Sequence, residues 1–124
     1  MSLVRVHALV AWLFVATIVI QVFLAGAAIA NLGGTGAFGT HIEFGYTWIG
    51  IAVLVLLVTA FLARRPRREM GYVAAILVLY IVQTMLPLAK ESIPAIAALH
   101  PVNALFLFGV AAWYARRAWG ASAA

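Results

Sequence analysis

The sequence predicts an all-α fold, a four-helix up-and-down transmembrane bundle, and three observations carry that prediction. First, 67% of the 124 residues are hydrophobic and 9% are charged, whereas a soluble domain has about 45–50% apolar and about 25% charged residues. Second, the apolar residues fall into four runs, each of at least about 18 residues, enough to cross a hydrocarbon core of about 30 Å. Third, the charges collect between the runs and at their ends, where membrane proteins place them. A soluble core of this length has no room for so much apolar surface, whereas a helix that is apolar all round is at home in lipid.

The first run covers residues 4–30. It opens with Arg5 and ends in AGAAIAN, which has the outline of a signal peptide. Its length and the interruption at Gln21 favour a retained helix. NLGGTGAFGT, residues 31–40, holds four glycines and forms a loop. Thr40 followed by Glu43 has capping-box spacing, so the second helix is placed at 41–63. RRPRRE, with Pro66 as the breaker, separates it from a third helix at 70–88. Pro87 and AKES end that helix. The fourth, 94–117, begins at Pro94 or Pro101. It finishes among Trp113, Tyr114 and Trp119, read as an interfacial anchor. The whole chain, 1–124, makes a single domain.

Seven basic residues, Arg5, the four arginines of 64–68, Arg116 and Arg117, fall on one side of this arrangement, and only Lys90 on the other. The positive-inside rule then puts both termini in the cytoplasm. The expected location is a bacterial cytoplasmic (inner) membrane. The arginines do not form a spread face, so nucleic acid is not an expected partner. The absence of cysteine excludes disulfides, thiolate ligands and iron–sulfur clusters.

A weak internal repeat runs through the chain. IVIQVFLA in the first helix parallels LYIVQTML in the third, which aligns Gln21 with Gln83. His41 then opens the second helix and His100 the fourth. With Asn103, these polar residues all map to the outer half of the membrane, and burying each one costs free energy. Helices two and four lie on a diagonal of an up-and-down bundle. Two imidazoles facing each other across the core make the usual axial pair of a b-type haem. Gly45 and Ala104, one turn after each histidine, leave room for a flat macrocycle. Thr17, Gln21, Ala25 and Ala28 form a small or polar stripe on helix one. Phe44, Trp48 and Phe108 are candidate aromatic walls. Lys90 is placed to pair with a haem propionate, as are Thr40 and the amides of the 31–40 loop. The candidate cofactor-binding residues are thus His41, His100, Gln21, Gln83, Gly45, Ala104 and Lys90, with His41 and His100 as iron ligands.

Each of these residues has a plainer reading too. Histidines near helix ends are often interfacial hydrogen-bonders, and glutamines hold transmembrane helices together. Glu43 reads equally as a cap, and His7 as an ordinary residue of the cytoplasmic end. No nucleophile–base pair is visible, and enzymatic activity is left open. A cofactor-free helper subunit of a larger membrane complex is the alternative to a small cytochrome. A proton-coupled transporter ranks below both, because helices one, three and four lack an embedded carboxylate. Expected partners are the lipid bilayer, a redox partner or quinone, and further copies or subunits of a larger complex.

The histidine near the outer end of helix two, with LHPVNALFLFGVAAWYARR in helix four, resembles one half of haem A synthase. That family repeats a four-helix bundle whose second and fourth helices carry histidines flanking a haem on the outer side. The resemblance covers nearly the whole chain and implies the same role for His41 and His100. Haem A synthase has a glutamate three residues before its helix-two histidine. Phe38 stands there in this chain, so the resemblance implies a haem-holding half-module rather than an oxidase. The succession QVFLAG, His, VQ, LHPVNA also resembles a family of small uncharacterised four-helix bacterial membrane proteins, which supplies no activity.

Overall fold

The long apolar runs close their backbone hydrogen bonds internally as helices, the form that needs no water to satisfy them. The computed structural model describes residues 1–34 and 36–122. Thr35, within the glycine-rich loop, and the last two residues lie outside the described part. The elements are α1 (Leu3–Ile29), α2 (Gly39–Leu62), α3 (Arg67–Met85), a 3-10 turn (Leu86–Ala89), a short α4 (Pro94–Ala97) and α5 (His100–Ala121). They form four spans long and apolar enough to cross a membrane, the third including the 3-10 turn and the fourth combining α4 with α5. Among the described residues there is no strand.

α1 packs against α2 and α5, and α3 packs against the same two, so α2 and α5 sit on one diagonal. Directions alternate. His7 near the start of α1 meets Thr59 near the end of α2 and Tyr114 near the end of α5. One end of the bundle therefore carries the α1–α2 and α3–α5 connections. The other carries both described termini and the α2–α3 turn.

The buried positions follow the period of a left-handed bundle. They are Ile49, Val53, Leu56 and Ala60 on α2, and Leu107, Ala111, Tyr114 and Ala118 on α5. These recur every three or four residues, as interlocking helix seams require. Buried alanines at 8, 11, 60, 111, 115 and 118 let the backbones come close. The opposite faces are as apolar as the core. Phe61 is 75% exposed, Leu105 73% and Phe106 64%. That inside-out pattern suits hydrocarbon as the surrounding medium.

Several expected boundaries move. The capping box of Thr40 and Glu43 does not form. α2 starts earlier, with Phe38 as its N-cap and the Phe38 carbonyl accepting the Ile42 amide at 2.8 Å. Glu43 is exposed. α3 starts at Arg67 instead of residue 70, because Pro66 holds the extended conformation that precedes a helix and its carbonyl takes the Met70 amide. α3 gives way at Leu86 to the tighter turn, since Pro87 lacks the N–H that an α-helix would use. The single helix expected over 94–117 is broken by a turn at Ala98 and Leu99. Pro101 causes no kink, since it lies in the first turn of α5, where a missing amide is harmless. α5 then runs on to Ala121. Tyr114, expected at the interface, is fully buried instead, because its position continues the Asn103–Leu107–Ala111 seam.

Candidate functional site

At the end carrying the α1–α2 and α3–α5 connections, the chain builds the same clasp twice. In the first, His41 Nδ1 donates to the Gln21 backbone carbonyl at 3.1 Å, and the Gln21 side-chain amide reaches His41 Nε2 at 3.3 Å. In the second, His100 Nδ1 donates to the Gln83 carbonyl at 3.0 Å, and the Gln83 amide reaches His100 Nε2 at 3.2 Å. A backbone carbonyl only accepts, so each imidazole carries its proton on Nδ1 and its lone pair on Nε2. The weak sequence repeat is thus a repeat of hydrogen bonding, with each glutamine supplying both its backbone and its side chain.

The clasps face each other. The His41 and His100 ring centres lie 6.3 Å apart, with planes at 76°. Between α2, α3 and the ends of α1 and α5 opens a cavity of about 570 Å³, within the range of roughly 300–1,000 Å³ usual for small-molecule sites. All seven candidate residues named from the sequence line it: His41, His100, Gln21, Gln83, Gly45, Ala104 and Lys90.

The two clasps differ in one respect. Asn103, one turn after His100 and nearly buried, donates to the Gln83 side-chain oxygen at 2.7 Å and to the Leu79 carbonyl at 3.0 Å. The equivalent residue after His41 is Phe44. Gln21 Oε1 accordingly has no hydrogen-bond partner although it is buried. Its amide nitrogen is held instead by the His41 carbonyl at 2.9 Å. Gly45 makes that possible, because a Cβ there would stand 2.6 Å from Gln21 Nε2. Ala104 has no such constraint, since Gln83 is drawn toward Asn103.

Other expected lining residues lie elsewhere. Phe44 packs into the core, while Trp48 and Phe108 are 57% and 40% exposed on the outer faces. The aromatic walls are Phe38, Tyr46 and Tyr80, which the sequence analysis did not select. Tyr80 donates to the Gly45 and Tyr46 carbonyls at 3.2 Å, and Tyr46 donates to the Thr84 carbonyl at 3.1 Å. The signal for Tyr80 was its place one turn before Gln83 on the same face. Of the small-residue stripe on α1 only Gln21 reaches the cavity, which Ile18 and Val22 share. Thr40 is exposed and does not line it.

The opposite end holds a second polar cluster that the sequence did not announce. His7 is fully buried, with Nδ1 3.0 Å from the Thr59 hydroxyl and Nε2 2.7 Å from the Tyr114 hydroxyl. Nearby, Glu69 is 4% exposed and accepts from Arg117 Nε at 2.6 Å, with Arg65 at 3.5 Å. Among the described residues no three His, Cys, Asp or Glu side chains gather as a metal site.

No curated protein and no solved structure matches the chain. A family model described as a family of unknown function (DUF6220) matches residues 21–90, more than half of the sequence. The matched stretch opens on Gln21, closes on Lys90, and includes one whole clasp together with Gln83. The chain belongs to the DUF6220 family.

Proposed function

We propose that this protein is a small membrane cytochrome of the b type, holding one haem between His41 and His100. In this reading both termini face the cytoplasm of a bacterium and the two clasps lie in the outer half of the inner membrane, the orientation that the arginine distribution favours. The observation that carries the reading is the pair of matched clasps that set two neutral imidazoles on the wall of one cavity, each Nε2 held by a glutamine amide alone. The two ring centres lie 6.3 Å apart on the cavity wall, near enough for both imidazoles to reach one group between them. The resemblance to half of haem A synthase points the same way.

When bound, a haem supplies a reversible one-electron change at iron, which serves electron transfer or haem handling. The chain's own residues do the rest. The Gln21 and Gln83 carbonyls fix each imidazole tautomer and ring orientation, and raise the basicity of the ligating nitrogens. Each glutamine amide gives up its contact with Nε2 when that lone pair is engaged. Gly45 seats the Gln21 amide against α2, and the apolar walls exclude water. Lys90, exposed beside the cavity mouth, is available to a propionate.

The test is the spectrum of protein made with ample haem and purified in detergent. A low-spin Soret band and sharp reduced α band are expected. His41→Ala or His100→Ala should lose the haem or leave it five-coordinate. One observation favours a second reading, a cofactor-free helper subunit: each Nε2 already accepts a glutamine N–H, so the clasps can join helices without a ligand. A colourless wild type with no extractable haem would select that reading.

A further inference from the structure

Arg64 stands where a long side chain is a poor choice. It is the second residue past α2, with φ at +49°. That left-handed conformation lets the Arg64 amide bond to the Phe61 carbonyl at 2.9 Å and the Arg65 amide to the Ala60 carbonyl at 3.0 Å, a Schellman closure. Glycine or asparagine is the usual residue there, and α1 closes the same way with Asn31. Arginine adds strain and gives the turn nothing, so its side chain is the reason to look further.

That side chain has no acidic partner. Among the described residues the ion pairs run only from Glu69 to Arg65 and Arg117. Arg64 lies instead on the wall of a cavity of about 630 Å³, shared with Arg65, Phe61, Leu62 and Met70. The Arg65 side chain is only 9% exposed, and its Nε–H has no acceptor. An unpaired guanidinium and an unsatisfied N–H thus sit against three apolar side chains. Two of these, Phe61 and Leu62, are exposed on the outer surface of α2. A phosphodiester carrying hydrocarbon chains complements both halves of this wall. With Arg67 and Arg68 adjacent and the one nearby carboxylate, Glu69, shared between Arg117 and Arg65, the local field is positive and disfavours a headgroup that also carries an ammonium.

We infer that the α2–α3 turn holds the headgroup phosphate of one anionic phospholipid between Arg64 and Arg65, its acyl chains lying along Phe61 and Leu62. The site is independent of the haem reading and needs only that the chain lies in a membrane. Native mass spectrometry of the purified full chain, with dioleoyl phosphatidylglycerol or phosphatidylcholine at equal concentration, tests it. One phosphatidylglycerol should stay bound per chain, and phosphatidylcholine should not. Arg64→Gln should weaken retention about fivefold. Arg67→Gln, an equal charge change off the cavity wall, should weaken it less than about twofold. Arg64→Gly should weaken retention at least as much as Arg64→Gln while melting at a higher temperature, because it relieves the backbone and so excludes unfolding as the cause. Equal losses from Arg64→Gln and Arg67→Gln, or equal retention of the two lipids, would overturn the site. Displacement of the lipid by an equal concentration of sn-glycerol 3-phosphate would overturn its assignment to a lipid.

Discussion

Gly45→Ala sets two effects of similar size against each other. In a helix, alanine is better than glycine by about 0.5–1 kcal/mol. At position 45 the new Cβ would stand 2.6 Å from Gln21 Nε2, so the Gln21 amide must move. Moving it breaks the 2.9 Å bond to the His41 carbonyl. That loss is worth about 1 kcal/mol, and an off-rotamer side chain costs about 0.5–1.5 kcal/mol more. The net change should lie between about 0.5 and 2 kcal/mol of destabilisation. Gly109→Ala is the control, because nothing lies within 4 Å of a Cβ built there. It should stabilise by about 0.5–1 kcal/mol. The assay is reversible unfolding in mixed micelles, run as a double-mutant cycle with Gln21→Ala. Without the Gln21 side chain, Gly45→Ala should behave like Gly109→Ala, giving a coupling of about 1.5–2.5 kcal/mol. A coupling within error of zero, with Gly45→Ala as stabilising as Gly109→Ala, would refute the claim that Gly45 exists to seat Gln21.

The remaining predictions concern other parts of the bundle. His7→Ala should destabilise the protein by about 2–4 kcal/mol, through a cavity and an unpaired Tyr114 hydroxyl, while leaving any haem spectrum unchanged; a shifted Soret band would contradict the separation of the two ends. Lys90→Gln should lower the haem midpoint potential in a redox titration at low salt, since loss of a nearby positive charge favours the ferric state; an unchanged potential with haem fully retained would make Lys90 an interfacial anchor only. A reporter active only in the cytoplasm should be active when fused after Ala124 and silent when inserted at Gly34. The opposite result would reverse the orientation.

The clasp residues were legible because a glutamine or histidine inside an apolar run is conspicuous, and because the two pairs fall at corresponding places. Gly45 was found for a general reason, room beside a ligand. The structure supplies a different one, contact with Gln21. The polar cluster at the other end was hidden for reasons of geometry. His7 lies near a chain end, and sequence position alone does not say which face of α1 it occupies. Glu69 sits in an arginine-rich stretch that reads as a solvated turn, yet the first turn of α3 directs it inward toward Arg117. Tyr114 looked like one more aromatic of an interfacial belt until α5 proved to continue past it. Helix boundaries moved by a few residues wherever a proline sat, because proline's position within the first turn, not its presence, decides whether a helix stops or starts.

Each clasp closes within one hairpin. Gln21 and His41 are 20 residues apart, and Gln83 and His100 are 17 apart. The costly polar groups of α1 and α2 can therefore find partners before α3 has left the ribosome, and those of α3 and α5 can do so in turn. The links between hairpins, His7 to Tyr114 and Tyr80 to the backbone of α2, come into play only once both are present. Each pair of spans can enter the bilayer with its histidine and glutamine already joined, with assembly of the cavity as a later docking event. Failure to dock would leave two inserted, lipid-tolerant hairpins rather than an aggregated chain.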